Sequence, residues 1–471
     1  MFELHHLSAR EQGEWLRRGE ISPTELANHY LARIELLNPS LGAFTTVTAD
    51  AARERAALVE SQLPQSLPLW GIPLGDKDLE RRSGARVTFG SRAFADHIAE
   101  TSDEGVLARD AAGAVSLGST SAPEFGLSSY TESLLAPPAR NPYDVTLGPG
   151  GSSGGAAVAV AAGLLPVAPG SDGGGSVRIP AAATGLVGLK PSRGRVPSGS
   201  GFLSTAGLVV HGPLARSVGD AALLLDALIE GVPNTFATTP PTWDGGAYSN
   251  AALRGEGRFS IGVMTSSPWD SSYEITVSPE ATAALTVAAD ALAAIGHGLE
   301  DYALEPDDSY GPAFRAIWQA GAASIPVEGE RMAMLEPLTR WLVERGRGLG
   351  ARDFAEALAT LTRFERSIIR QFSRFDVVMT PALAMTPRPI GWYDSEDAER
   401  NFAQQCQYTP WTSFVNVSGL PAITLPVHMT PEGLPMGVQL IGRPGAEHTL
   451  LAIGAQLERR FAWQKRHPRQ W

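Results

Sequence analysis

Apolar residues recur at helical spacing near the start of the chain: Leu26, Tyr30, Ile34 and Leu37 lie three or four positions apart, the period of one helix face. Ser22 stands at the N-cap position, Pro23 at the first helical residue and Glu25 three residues after the cap, which predicts a helix opening at Pro23. The "NPS" at 38–40 is expected to close it. "LWGIPLGDKDLE" at 69–80 reads as a short buried strand carrying Lys77 at its end. Helical and strand-like segments keep alternating through "VLARDAAGAVSLGSTSAPEF", a pattern of α/β proteins. A Pro-, Gly- and Thr-rich stretch at 231–257 reads as a long connection,. Beyond it come a strand, "FSIGVM", and a helix opened by "SPEAT" and closing near Gly296. Residues from about 306 to 374 are helical in pattern and predict an insertion or cap. "FDVVMTPAL", "PAITLPV" and "PMGVQLIG" are expected strands, the last two forming a hairpin through "HMTPEGL",.

Composition narrows the class. The 471 residues allow one large α/β unit with an insertion, or two to three domains,. A hydrophobic content of 43% suits a globular core,. The formal charge of −12 argues against nucleic acid as a partner,. A single cysteine, Cys406, excludes an internal disulfide and a Cys-rich metal site,. The opening "MFELHHLSAR" has no signal-peptide pattern,. The apolar run 156–168 is too short to span a bilayer,. The expectation is a cytoplasmic protein needing no cofactor or metal. Only three of the 38 basic residues are lysines, Lys77, Lys190 and Lys465. A lysine that persists in such a background is a candidate for work Arg cannot do, since a buried Lys can lose its proton.

Two serine–glycine clusters carry the chemistry. "GPGGSSGG" fails the dinucleotide fingerprint, because Ser153 stands where the last glycine belongs, and fails the P-loop pattern for lack of a following lysine,. A nucleophile elbow fits Gly150 to Gly154 with Ser152 at its centre,. That motif is short, and its histidine would have to be His211 or His428, neither set in a recognisable pattern. In "GSDGGGSVRIP", three glycines precede Ser176; their N–H groups can form a concave donor array, which beside a nucleophile acts as an oxyanion hole. A flexible linker is the plainer reading of a Gly-Ser run, but apolar segments bound this one on both sides. No histidine lies between His97 and His211, so the base is sought in Lys77, whose pKa burial would lower. Taken alone, a lysine between Asp76 and Asp78 is better read as a surface ion pair; the serine clusters reverse that balance.

Together these segments resemble the amidase signature family of serine hydrolases. The resemblance covers most of the chain: "GIPLGDKD", "GSTSAPEF", the block from "NPYDVTLGPGGSSGG" to "GLKPSRGRV", "GPLARSVGD" and "NVSGLPAITLPV" with "GLPMGVQLIG". It implies an α/β fold, a single large domain over 1–471 with a twisted mixed sheet enclosed by helices. Its parts would be N-terminal helices at 1–65, a catalytic core at 66–230, the insertion, and C-terminal strands and helix at 375–471. It implies a Ser–cis-Ser–Lys triad in which Ser176 is the nucleophile, Ser152 the bridging serine after a cis peptide and Lys77 the base. The N–H groups of Gly173, Gly174, Gly175 and Ser176 would receive the oxyanion, with Asp172, Arg178 and Ser153 supporting the loop. Lys190 matches a structural position. Two residues depart from the family pattern: Ser121 stands where Asn is common, with an expected effect near Phe125 and Gly126, and Gly173 replaces a larger residue. The implied activity is hydrolysis of aryl, alkyl or oligomeric amides, with bacterial acylamidases and hydrolases of cyclic nylon oligomers the nearer members, and ester or carbamate cleavage as a side activity. The alternative is a glutamine-hydrolysing amidotransferase A-type subunit. The expected partners are a small-molecule or oligomeric amide and a second copy in a homodimer, with no nucleic acid and no membrane. The pocket is expected from 126–135, 198–210, 310–345 and 385–415, Phe125 and Gly126 included, with Trp318, Trp392 and Trp411 as candidate walls.

Overall fold

The computed structural model describes residues 3–197, 204–230 and 239–471. Among the described residues, eleven strands form two sheets. β1 (Phe44–Val47), β2 (Pro73–Lys77) and β3 (Val115–Thr120) make a small sheet in the order β1-β3-β2. β4 (Val167–Asp172), β5 (Val187–Lys190), β6 (Val210–Ala215), β7 (Ser260–Met264), β8 (Gly298–Tyr302), β9 (Val377–Pro381), β10 (Ala422–Met429) and β11 (Pro435–Gly442) make a large one, ordered β4-β6-β5-β10-β11-β9-β7-β8. Its pairings are antiparallel from β4 to β9 and parallel from β9 through β7 to β8. The predicted hairpin is β10–β11, with Ala422 opposite Ile441.

Helices cover both sheets. Val218–Ile229, Pro279–Ile295 and Glu447–Phe461 pack on the large one, and their apolar faces join a core that runs into the small sheet. The apolar run at 156–168 becomes helix Gly154–Ala161, all of it buried, and then β4, also buried along its length. This explains the missing polar face: a helix surrounded by protein needs none. The span 306–374 holds Tyr310–Ala323, Pro337–Arg347 and Ala351–Phe372. Among the described residues no helix is long and apolar enough to cross a membrane.

Two sequence expectations need correction. The helix that opens at Pro23 passes through "NPS" and ends at Leu41, with Gly42 at φ 61° as its C-cap. Burying Leu41 completely outweighs the one hydrogen bond that Pro39 cannot make. Part of the 231–257 connection, 231–238, lies outside the described residues, and the remainder contains helix Tyr248–Arg254. The Asp226 carboxylate starts that helix by accepting from the N–H groups of Tyr248 and Ser249.

Candidate active site

Lys77 ends β2 in the small sheet, and its side chain is 1% exposed. Nζ lies 2.8 Å from Ser152 Oγ, 3.0 Å from Ser171 Oγ and 3.3 Å from the Ser171 carbonyl oxygen. Burial lowers the ammonium pKa to about 7, against partial restoration by the carboxylates of Glu80 and Asp172. Burial thus favours the uncharged amine far more than water would. Glu80 is fixed by Arg109, which donates to both of its oxygens at 3.1 and 3.0 Å and also to Asp76.

Ser152 follows a cis Gly151–Ser152 peptide bond, as the resemblance implied. A Cβ on Gly151 would fall 2.6 Å from the Tyr130 backbone, so glycine is what lets the two segments touch. The Ser153 N–H donates to the Ser176 carbonyl at 3.1 Å, binding the two serine segments together. Ser176 itself sits between β4 and helix Arg178–Ala183.

The loop before Ser176 is organised by Asp172. Its carboxylate accepts from the N–H of Gly175 at 2.8 Å and of Val177 at 3.1 Å, and forms a buried pair with Arg178. Burial raises its pKa and the Arg178 guanidinium outweighs this, leaving the carboxyl well below the usual range. Asn416 donates to the Asp172 backbone and side chain, and Arg178 reaches Gln439 and Asn416. Gly175 takes φ 129°, and a Cβ there would meet Thr412 Oγ1 at 2.5 Å. Of the four expected donors, the Gly175 N–H is held by Asp172, whereas among the described residues no hydrogen bond takes the N–H of Gly173, Gly174 or Ser176.

Two cavities meet at this loop. The larger, about 120 Å³, is bordered by Ser152, Ser171, Gly173 and Ser176; the smaller, about 60 Å³, by Gly174 and Ser176. Gly126, Leu127 and Trp318 also border both, and Phe125 borders the larger. A Cβ on Gly126 would lie 2.6 Å from Leu79 and 3.3 Å from Ser152 Oγ. Of the three tryptophans, only Trp318 reaches a chamber. Trp411 is wholly buried, donating to the carbonyls of Thr265 and Ser266, and Trp392 packs edge-on against Tyr393. Ser121 turns away, donating to the Gly42 carbonyl. Lys190 is buried, donates to the Pro191 carbonyl, and has its pKa lowered to about 7 by burial and by Arg178. Of the expected pocket stretch 198–210, residues 198–203 lie outside the described residues.

Sequence reasoning gave no role to Ser171, Thr412 or Glu80, and weighed His211 only as the histidine of a nucleophile elbow. Ser171 and His211 are cross-strand neighbours on β4 and β6, and His211 Nδ1 lies 3.6 Å from Glu80 Oε1. No local pattern announces contacts that span such sequence distances.

This fold, with these clustered hydroxyls and a buried amine beside a cavity, defines an amide-cleaving hydrolase. The chain belongs to the amidase family, whose model matches residues 25–451. A Mycobacterium tuberculosis relative, AmiB2, provisionally named an amidase, is 38% identical over 474 residues, 99% of this chain and 98% of that protein. The A-type subunit of a Roseiflexus glutamyl-tRNA(Gln) amidotransferase is 33% identical, over 99% of this chain and 98% of its own. Among solved structures, a 6-aminohexanoate cyclic dimer hydrolase with substrate bound superposes at a TM-score of 0.89 with 32% identity, covering 99% of both chains. A bacterial aryl acylamidase superposes at 0.85 with 27% identity, covering 98% of this chain and 97% of its own.

Proposed function

We propose that the protein hydrolyses carboxylic amides through an acyl-enzyme on Ser176, with Ser152 relaying protons to and from Lys77. The observation that carries this is the 2.8 Å contact of a buried Lys77 amine with Ser152 Oγ, on the wall of the cavity that Ser176 also borders. An uncharged amine has two N–H donors and one lone pair. Nζ has three oxygen neighbours, Ser152 Oγ, Ser171 Oγ and the Ser171 carbonyl; once the amine loses its proton, the Ser171 oxygens can take its two N–H groups and the Ser152 hydroxyl can donate to its lone pair.

The Ser176 hydroxyl passes its proton to Ser152 Oγ as the Ser152 proton moves to Nζ, and the freed Oγ attacks the carbonyl carbon. The carbonyl oxygen takes up the negative charge against the N–H groups of Gly173, Gly174 and Ser176. As the C–N bond breaks, the same chain returns the proton to the departing nitrogen. Water then attacks the acyl carbon by the same relay, releasing the acid and restoring Ser176. A cytoplasmic setting fits a fold whose single thiol, Cys406, is buried.

The test is Ser176→Ala on an anilide substrate, with intact-mass analysis of quenched wild type. A loss of about 10³-fold or more in kcat, together with a mass increase equal to the acyl group on wild type only, is expected. Undiminished turnover by the variant overturns the assignment.

A further inference from the structure

We infer that the preferred substrate is an N-substituted carboxamide with an uncharged, apolar group on each side of the bond, the bulkier one on nitrogen. The inference rests on the Ser176 reading and adds the substrate class. Ser176 lies where the two chambers join, so a carbonyl carbon at its Oγ sends one substituent into each. Ser152 borders the larger chamber and not the smaller. Because Ser152 must hand its proton to the leaving nitrogen, the amine side points into the larger chamber and the acyl side into the smaller. An apolar protein cavity of ~150 Å³ takes up one benzene. A chamber of about 120 Å³ opening at the bond is ring-sized, and one of about 60 Å³ suits a short acyl chain.

The walls decide the chemistry. Leu79, Phe125, Ile317 and Ile325 border the larger chamber, and Trp269 and Phe402 the smaller. The acidic and imidazole groups present are Glu80, already held by Arg109, and His211. Burial pushes the Cys406 thiol up, leaving it uncharged. Among the described residues no Arg or Lys side chain borders either chamber, and residues 198–203, beside them in sequence, read "SGSGFL". The carboxylate of glutamine, which lies on the acyl side of its amide, therefore enters the smaller chamber and finds no counter-ion there among the described residues. A primary amide leaves the larger chamber without an occupant.

Two isomers isolate the orientation: N-benzylacetamide places its ring on nitrogen, and N-methyl-2-phenylacetamide places it on the acyl side, with comparable intrinsic reactivity. Against acetamide, burial of ~100 Å² of ring surface predicts about a fiftyfold higher kcat/KM for N-benzylacetamide. It is also expected to exceed its isomer by about tenfold, with glutamine uncleaved, and Trp318→Ala is expected to shrink the preference between isomers. Acetamide equal to N-benzylacetamide, a reversed or absent isomer preference, turnover of glutamine, or an unchanged preference in Trp318→Ala overturns the inference. If those failing activities still disappear in Ser176→Ala, the catalytic reading survives; if they persist there, that reading fails instead.

Discussion

Replacing Lys77 by Met should abolish turnover and yet stabilise the protein at neutral pH. A folded-state pKa of about 7, against the ordinary value of about 10.5, means that the unfolded chain binds the proton more tightly than the folded one. Unfolding is therefore favoured at every pH below about 10.5, increasingly so down to about 7, where the effect levels off. Integrated, this costs the folded state about 4 kcal/mol at pH 7, about 2 at pH 9 and about 1 at pH 10. Met removes that cost at a similar side-chain volume. It also strands the partners of Nζ on Ser152 and Ser171, a loss of about 2 kcal/mol in all. The variant should thus be more stable than wild type by about 2 kcal/mol at pH 7, equal near pH 9 and less stable at pH 10. Urea unfolding followed by tryptophan fluorescence at each pH measures the difference, and kcat on the same preparations should fall by about 10³-fold or more. In wild type, kcat/KM should climb about tenfold per pH unit below 7 and flatten above about 8. A stability difference that does not change with pH would falsify the neutral, buried amine, whatever the activity does.

Lys190→Met is the matching control. Its amine is equally buried but contacts only the Pro191 carbonyl among the described hydrogen bonds, so kcat should stay within about threefold of wild type in the same assay. Asp172→Asn should lower stability by about 3–5 kcal/mol in urea unfolding, because it leaves the fully buried Arg178 guanidinium without its counter-charge,. Gly175→Ala should reduce kcat by about tenfold or more, since the added methyl meets Thr412 where the backbone already has positive φ,; an unchanged kcat would show that the loop tolerates the displacement.

Much of the site was legible because its residues carry local signals. Ser152 and Ser176 sit among glycines that their surroundings require, and Lys77 stands out in an arginine-rich chain at the end of an apolar strand. The supporting groups have no such signal. Ser171 lies in a strand that reads simply as buried chain, and its contact with Lys77 forms only when the two sheets meet. The tryptophans divided for a related reason: Trp318 and Phe314 stack at 5.6 Å on one face of helix Tyr310–Ala323, and apolar spacing does not say whether such a face borders a cavity or the core. Gly173 shows the opposite case. The sequence marks it as a departure, and the structure supplies the reason: a Cβ there would lie 3.1 Å from Val209 and 3.4 Å from the Trp318 ring. A larger residue at 173 and the indole at 318 compete for the same space. Ser121, marked in the same way, only ties the chain to the end of the first long helix.

The proposed base and attacking hydroxyl hang from different sheets, Lys77 from the end of β2 and Ser176 from the loop that leaves β4. Neither sheet can hold the proposed proton relay alone. Turnover is thus a gauge of how closely the two β-layers are seated, sensitive to a gap far smaller than circular dichroism could detect. In a chain cut at a surface loop between them, regained catalysis would report reassembly directly.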